Sequence, residues 1–298
     1  MQSRKFNAIM AVLGVAILLF LLKDLDFNYL RTFDFSLTSA GIASLILVIF
    51  AIFIVRTIRW MHYLKSIGVK IGFGDAYFAV VPSIALGLFT PAQTGDLLKI
   101  ELLKRQKNIK RRESLATVLV EKAADFFLLF VIFLFSLYHF SLKVLNLNYQ
   151  IMMLVAALLL IFAFLSILYF RKNIIIKNTA RNIVKILSDL KSFSLAVLLT
   201  IVYWFLIGVG WYLVAKMANI DLSFLFLFGI LSITSIVGLV TLVPGAIGIM
   251  EFSTVFMLTT LSDISMNQAA IFALSYRIYS ILMYVVAYSH LFIRRNKN

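Results

Sequence analysis

Long apolar runs constrain this chain more than any other feature of its sequence. Six of them have about the length that an α-helix needs to cross a bilayer, roughly 20 residues. They cover residues 6–22, 41–58, 114–140, 151–170, 193–215 and 267–293. Of the 298 residues, 62% are hydrophobic and 14% are charged, and the mean hydropathy is +1.01. Since a soluble domain is about half apolar and about a quarter charged, we predict an all-α polytopic membrane protein, with residues 1–298 forming a single integral membrane domain.

Lys and Arg residues are concentrated in alternate connections between these runs. Most of the 28 lie in five segments: 1–5, 56–70, 99–112, 171–191 and 294–297. Cytoplasmic loops carry the excess of Lys and Arg, so we predict a plasma-membrane protein with both termini in the cytoplasm. A net charge of +15 indicates an anionic partner, which in so apolar a chain is the lipid surface and not nucleic acid. The basic run at 99–112 could bind lipid headgroups, but we favour a role in topology alone.

Two further apolar stretches, 75–98 and 224–261, are interrupted by Pro and Gly near their centres. The flanks of each stretch fall on one side of the membrane, the first cytoplasmic and the second external. We therefore predict six full spans and two re-entrant hairpins. In the alternative, each stretch is a pair of short complete spans, giving eight or more helices. Non-helical backbone at membrane depth requires cover from protein or a wet cavity.

The two interruptions share a pattern, Pro-x-x-x-Gly, that recurs 153 positions along the chain. It begins at Pro91 in the first stretch and at Pro244 in the second. The same offset moves the earlier apolar runs onto the later ones, so the halves are about 1–149 and 150–298. Because an odd number of crossings separates equivalent elements, the halves are inverted relative to each other. Inverted repeats with paired broken segments indicate a transport site at the repeat interface.

Charged residues also lie within the apolar segments or beside their interruptions: Asp96, Glu121, Lys122, Asp125, Glu251 and Arg277. Each costs roughly 2.5–3.5 kcal/mol on insertion scales, so it must face the protein interior and find a partner. In one interpretation, Arg277 and Lys122 bind an anionic group and the acidic residues balance them. In the other, structural ion pairs such as Lys122–Glu121 or Arg277–Asp125 only hold helices together.

The interruptions themselves are the remaining candidate site: Pro91, Gly95 and Asp96 in the first, and Pro244, Gly245 and Gly248 in the second. A half-helix that begins after Pro244 and Gly245 would favour an anion through its dipole. The glycines would equally permit close helix packing.

Other signals indicate no further chemistry. Trp60, Tyr63, Trp204, Trp211 and Tyr212 fall near the ends of predicted spans, and we interpret them as interfacial anchors. The chain has no cysteine, its three histidines are scattered, and it carries no phosphate-binding or dinucleotide-binding glycine motif. We predict neither a metal nor a cofactor.

At these charged and broken positions the sequence resembles the transmembrane-region family of lysylphosphatidylglycerol synthases, a flippase-like domain. The resemblance spans nearly the whole chain. It is carried by Pro91-x-x-x-Gly95-Asp96, Glu121-Lys122-x-x-Asp125, Pro244-Gly245-x-x-Gly248-x-x-Glu251 and Arg277. The family usually has Gly-Glu at the first break and Glu-Arg in the third span, where this chain has Gly-Asp and Glu-Lys. Both departures keep the charge, but Lys cannot make the bidentate contact of Arg.

The resemblance implies translocation of an anionic or lipid-linked headgroup between leaflets, with membrane lipids as partners. Some relatives are fused to an aminoacyl-transferase or a glycosyltransferase domain. No such soluble domain is expected here, so we do not expect this chain alone to be an enzyme. Two alternatives are a non-catalytic membrane partner of a separate synthase or glycosyltransferase, and a membrane-embedded enzyme acting on lipid headgroups.

Overall fold

The fold is described from a computed structural model. It describes residues 2–23, 26, 38–87, 90, 95–107, 109, 111–139, 174–241 and 243–295. Within these ranges the chain is all-α, with ten α-helices, one short 3-10 turn and no strand. The predicted span at 151–170, and Pro91 of the first interruption, lie outside the described residues.

Five of the described helices lie in the first half of the chain. They are α1 (Gln2–Lys23), α2 (Ser39–Ser66), α3 (Phe73–Gly87), α4 (Leu97–Lys107) and α5 (Arg111–His139). The Thr38 side chain caps α2 by accepting a hydrogen bond from the Gly41 backbone N–H at 3.0 Å, which satisfies a donor that the first helical turn leaves open. The interruption predicted after α3 is present, because α3 ends at Gly87 and α4 begins at Leu97.

The other five described helices lie in the second half. They are α6 (Ile174–Ser188), α7 (Leu190–Met217), α8 (Phe224–Val240), α9 (Ile249–Leu261) and α10 (Met266–Arg295). Asp189 and Ser223 cap α7 and α8 with their side chains. The second predicted interruption also exists, as a 3-10 turn at Pro244–Ala246 between α8 and α9.

Four segments have the length and apolar composition to cross a membrane: Ser39–Ser66, Leu190–Met217, Pro244–Leu261 and Met266–His290. Many of their large apolar side chains face outwards, for example Leu47, Phe205 and Ile278. Extensive exposed apolar surface marks contact with lipid or with another protein. The chain is a multi-pass helical membrane protein.

The core forms where α2 lies along α7, with α3 packed on α2 and α10, and α8 packed on α5 and α7. Trp60, Phe53 and Trp211 are among its largest buried side chains. The helices on either side of the two interruptions therefore pack against long helices, and the charged groups of Asp96 and Glu251 are buried inside the protein.

Candidate functional site

Charged side chains from α2, α4 and α5, together with Asp96 from the first interruption, form a buried ionic cluster. Its members are Arg56, Arg59, Asp96, Lys99, Glu121, Lys122 and Asp125. All except Lys122 are at least nine-tenths buried. We call this group the first cluster.

Arg59 lies at the centre of the first cluster and is fully buried. Its Nη1 donates to Asp125 Oδ1 at 2.6 Å, and its Nη2 donates to Glu121 Oε1 at 2.5 Å. Lys99 Nζ donates to the other oxygen of Glu121. A charge at membrane depth must be paired. Here α2 and α4 supply the cations that pair with the acidic residues of α5 in the interior.

Arg56 and Asp96 form the edge of the first cluster. Arg56 lies about one helical turn from Arg59 along α2. Arg56 Nη2 donates to Asp96 Oδ1 at 2.5 Å. Lys122 Nζ contacts the second oxygen of Asp96 at 2.6 Å. Asp96 thus joins the first interruption to both α2 and α5.

Helix α7 covers the first cluster with one hydroxyl and two aromatic side chains. Thr200 accepts a hydrogen bond from Arg59 Nη1 at 3.4 Å. Trp204 Nε1 donates to Asp125 Oδ1 at 3.0 Å. The Tyr203 ring lies under the Arg59 guanidinium, 4.8 Å from its Cζ, a contact that stabilises the cation.

A second ionic group holds the turn between α8 and α9. Arg277 of α10 donates from Nε to Glu251, and from Nη1 to the Gly245 carbonyl oxygen at 3.2 Å. Its Nη2 lies 3.5 Å from the Ala246 carbonyl oxygen. Gly248 is the N-cap residue of α9, and its N–H donates to Glu251 Oε2 at 2.7 Å. The anion at this helix N-terminus is therefore the side chain of Glu251, where the sequence analysis had placed a bound ligand.

Gly95 holds the first interruption against the end of α3. A methyl group at this position would lie 2.4 Å from the Gly87 backbone nitrogen, so only glycine fits. The Gly95 N–H donates to Thr90 Oγ1 at 2.7 Å.

A cavity lies between the two ionic groups and touches both. Its volume, as the space open to the centres of water molecules, is ≈ 100 Å³. Arg56 and Asp96 line one part of it, and Gly245, Glu251 and Arg277 line another. Aromatic side chains of α7 and α10 complete the wall: Tyr203, Trp204, Trp211, Phe272, Tyr276 and Tyr284.

The ion pairs differ from the two offered as structural alternatives in the sequence analysis. Arg277 pairs with Glu251 instead of Asp125, and Lys122 pairs with Asp96 instead of Glu121. Adjacent residues on a helix point in different directions, so Glu121 and Lys122 reach different partners. Asp125 pairs with Arg59.

Three members of the first cluster were not predicted from the sequence as site residues. Arg56, Arg59 and Lys99 were counted as loop charges, but Arg59 and Lys99 are fully buried and Arg56 is nearly so. The interpretation of the run at 99–112 as a topology determinant is wrong for Lys99, because α4 carries it inwards to Glu121. The i,i+3 spacing of Arg56 and Arg59 at the end of an apolar helix was the available signal.

The interpretation of the aromatic residues as interfacial anchors is also wrong for most of them. Trp60, Tyr63, Trp204 and Trp211 are buried. Trp60 Nε1 donates to Thr117 Oγ1 at 3.0 Å. Tyr212 is half-buried, and its ring lies near Lys216. The buried rings pack within the helix bundle rather than at a lipid headgroup layer.

A family model matches residues 7–287, a range that holds both interruptions and every residue of the two ionic groups. Its description is Lysylphosphatidylglycerol synthase TM region. The chain belongs to this family. No curated protein and no solved structure matches the chain. Among the residues that the structure describes, no group of three or more His, Asp or Glu side chains is placed to hold a metal ion.

Proposed function

We propose that this member of the lysylphosphatidylglycerol synthase TM-region family translocates a lipid with an anionic headgroup across the bilayer. The observation that carries the proposal is the cavity between the two interruptions, since it is lined by Arg56 and Asp96 and also by Glu251 and Arg277. A polar cavity inside an apolar bundle offers a headgroup a route that the hydrocarbon core does not.

The helix boundaries support two inverted halves around this cavity. Moved by 153 residues, α3 (Phe73–Gly87) falls on 226–240, within α8 (Phe224–Val240), and α4 (Leu97–Lys107) falls on 250–260, within α9 (Ile249–Leu261). The packing is also reciprocal, because α3 contacts α10 while α8 contacts α5. Paired broken segments at a repeat interface are typical of secondary transporters. We propose halves of about 1–149 and 150–298, moving against each other to expose the cavity alternately.

The charge beside the cavity and the size of the cavity suit a compact anion. The first cluster holds four cations and three carboxylates, a net charge of +1, while Arg277 and Glu251 balance each other. A water molecule needs roughly 10–15 Å³ of such space, so ≈ 100 Å³ admits several waters or one phosphate-sized group. The acyl chains would stay in the bilayer.

The proposal extends to location. We place the protein in the plasma membrane with both termini in the cytoplasm, because basic residues are concentrated in the connections on that side. Anionic membrane lipids are the partners that its charge favours.

Transbilayer movement of a fluorescent phosphatidylglycerol in proteoliposomes tests the proposal. Wild type should move the lipid faster than protein-free vesicles, and Ala273→Phe, which fills the cavity from α10, should abolish the movement. Ile278→Phe is the matched control, since it adds the same ring to the exposed face of the same helix. Arg277→Ala should also stop movement, because it releases the second interruption.

Lipid mass analysis after the same incubation separates the alternatives. Unchanged lipid masses with movement support translocation, while a changed mass would indicate a membrane-embedded enzyme. No movement with any anionic lipid would contradict the proposal and favour a non-catalytic partner of a separate synthase or glycosyltransferase, which should then co-purify with it.

A further inference from the structure

The two arginines that line the cavity are used differently by the protein. Arg277 is committed to the second interruption, since its Nε, Nη1 and Nη2 all contact Glu251, Gly245 or Ala246. A guanidinium has five N–H donors in a fixed fork, and here each of its three nitrogens already has a protein acceptor. Its geometry is that of a structural brace for the turn.

Arg56 keeps free donors. Its one hydrogen bond with a described residue runs from Nη2 to Asp96 Oδ1. Its Nε is buried, makes no hydrogen bond to any residue that the structure describes, and stays 3.7 Å from Glu121 Oε1. A buried donor without an acceptor is costly. Because the side chain lines the cavity, a ligand that displaces Asp96 there can supply acceptors to its guanidinium.

Asp96 can release Arg56 and still keep a charged partner for its carboxylate. Its Oδ2 lies 2.6 Å from Lys122 Nζ, and its Oδ1 lies 3.4 Å from the Ser83 hydroxyl. A carboxylate that gives up one of two cations keeps a charged partner, so the exchange leaves no isolated charge in the interior.

We propose that Arg56 is the anion-binding residue of the cavity and that a phosphodiester monoanion of a lipid headgroup replaces Asp96 on its guanidinium. Planar Arg donors match the oxygens of a phosphate in pairs. A single negative charge balances the net charge of the first cluster, which favours a phosphodiester over a dianionic phosphomonoester. This assignment rests on the proposed function, since it names the ligand chemistry of the same cavity.

Calorimetric titration of the purified full-length protein in an uncharged detergent tests the assignment. The probes are dihexanoyl-phosphatidylglycerol, its deacylated headgroup glycerophosphoglycerol, dihexanoyl-phosphatidylcholine and inorganic phosphate. Arg56→Gln should weaken binding of the phosphatidylglycerol about tenfold or more, the loss expected for hydrogen bonds to a charged group. Arg56→Lys should recover only part of it, because an ammonium cannot make the paired contact.

The test is specific because a change at Asp96 should alter the affinity in the direction opposite to a change at Arg56. Asp96→Asn removes the competing carboxylate and should tighten binding by about threefold or more. A purely structural Arg56–Asp96 pair predicts that both changes weaken binding or leave it unchanged. Arg111→Gln is the matched control, since this arginine is exposed and does not line the cavity. Melting curves by circular dichroism establish that each variant is folded before titration.

The remaining outcomes also decide the matter. Equal binding by wild type and Arg56→Gln overturns the assignment, and so does binding of inorganic phosphate in preference to both phosphodiesters. Preference for the phosphatidylglycerol over the zwitterionic lipid, lost in Arg56→Gln, supports it. Arg56-dependent binding without transbilayer movement would contradict the proposed function but not this assignment. Movement that persists in Arg56→Gln would contradict this assignment but not the proposed function.

Discussion

Gly248 lies against the backbone of Gly14, where α1 crosses the second interruption. A methyl group at Gly248 would be 2.0 Å from the Gly14 carbonyl oxygen, and one at Gly14 would be 2.5 Å from the Ile247 carbonyl oxygen. Gly248 also has a φ of +79°, a conformation that residues with a Cβ rarely adopt. The first helix of the chain thus closes directly over the turn that Arg277 braces.

Replacing Gly248 by alanine should destabilise the protein by about 2 kcal/mol or more, since it adds backbone strain and a steric clash. The melting temperature of the detergent-purified protein, followed by circular dichroism, should fall accordingly. Gly74→Ala is the control, because a methyl group there meets nothing within 4 Å. Equal melting temperatures for the two variants would show that α1 does not pack on the interruption.

Arg59 should be the least replaceable member of the first cluster. Arg59→Met removes the cation paired with Asp125 and one of the cations paired with Glu121 in the interior, and breaking a buried pair costs about 3–5 kcal/mol. We expect a large loss of folded yield. The double variant Arg59→Met/Asp125→Asn should recover part of that loss, because it also removes the carboxylate that has lost its cation.

An exposed ion pair gives the comparison for Arg59. Arg111 and Glu101 contact each other at 2.6 Å, and the Arg111 side chain is 59% exposed. Arg111→Met should cost less than about 1 kcal/mol. If it were as harmful as Arg59→Met, the burial of the first cluster would not be the reason for its importance.

The sequence predicted most of the described helices and both interruptions, because these depend on local properties. It did not predict α4 and α6, which lie largely in the basic segments 99–112 and 171–191. Apolar runs set the helices, and Gly-containing segments end α3 and α8 near the expected positions. The candidate site was predicted only in part. Glu251 was identified because it follows Pro244 and Gly245 closely in the sequence, and Arg277 because it is a charge within an apolar run. Their mutual contact was not predicted, because 26 residues separate them.

Membership of the first cluster depends on how three helices pack, which the sequence shows only indirectly. Arg56 and Lys99 each lie next to apolar segments and have the appearance of loop charges. Long basic side chains near helix ends usually reach towards the interface. From that general tendency, these residues were predicted to be surface charges and not interior ones. Here both side chains lie within ion-pair distance of Glu121 on α5.

Trp204 offers a test of the revised role of the aromatic residues. Trp204→Phe keeps most of the ring but removes the hydrogen bond to Asp125, and a bond to a charged group is worth about 1.5–3 kcal/mol. Circular dichroism should show a clear drop in melting temperature. In the Asp125→Asn background the same change should cost less, and additive losses would mean that the two side chains do not interact.

The absence of cysteine from the natural sequence makes single-cysteine labelling a direct test of the membrane topology. Lys191 and Asp221 are exposed and lie at opposite ends of α7, and Asp263 is exposed between α9 and α10. In intact cells, a membrane-impermeant maleimide should label Asp221→Cys and Asp263→Cys but not Lys191→Cys. After permeabilisation all three should react, which controls for accessibility of the thiols. Labelling of Lys191→Cys alone in intact cells would reverse the orientation, and labelling of all three would exclude α7 as a membrane span.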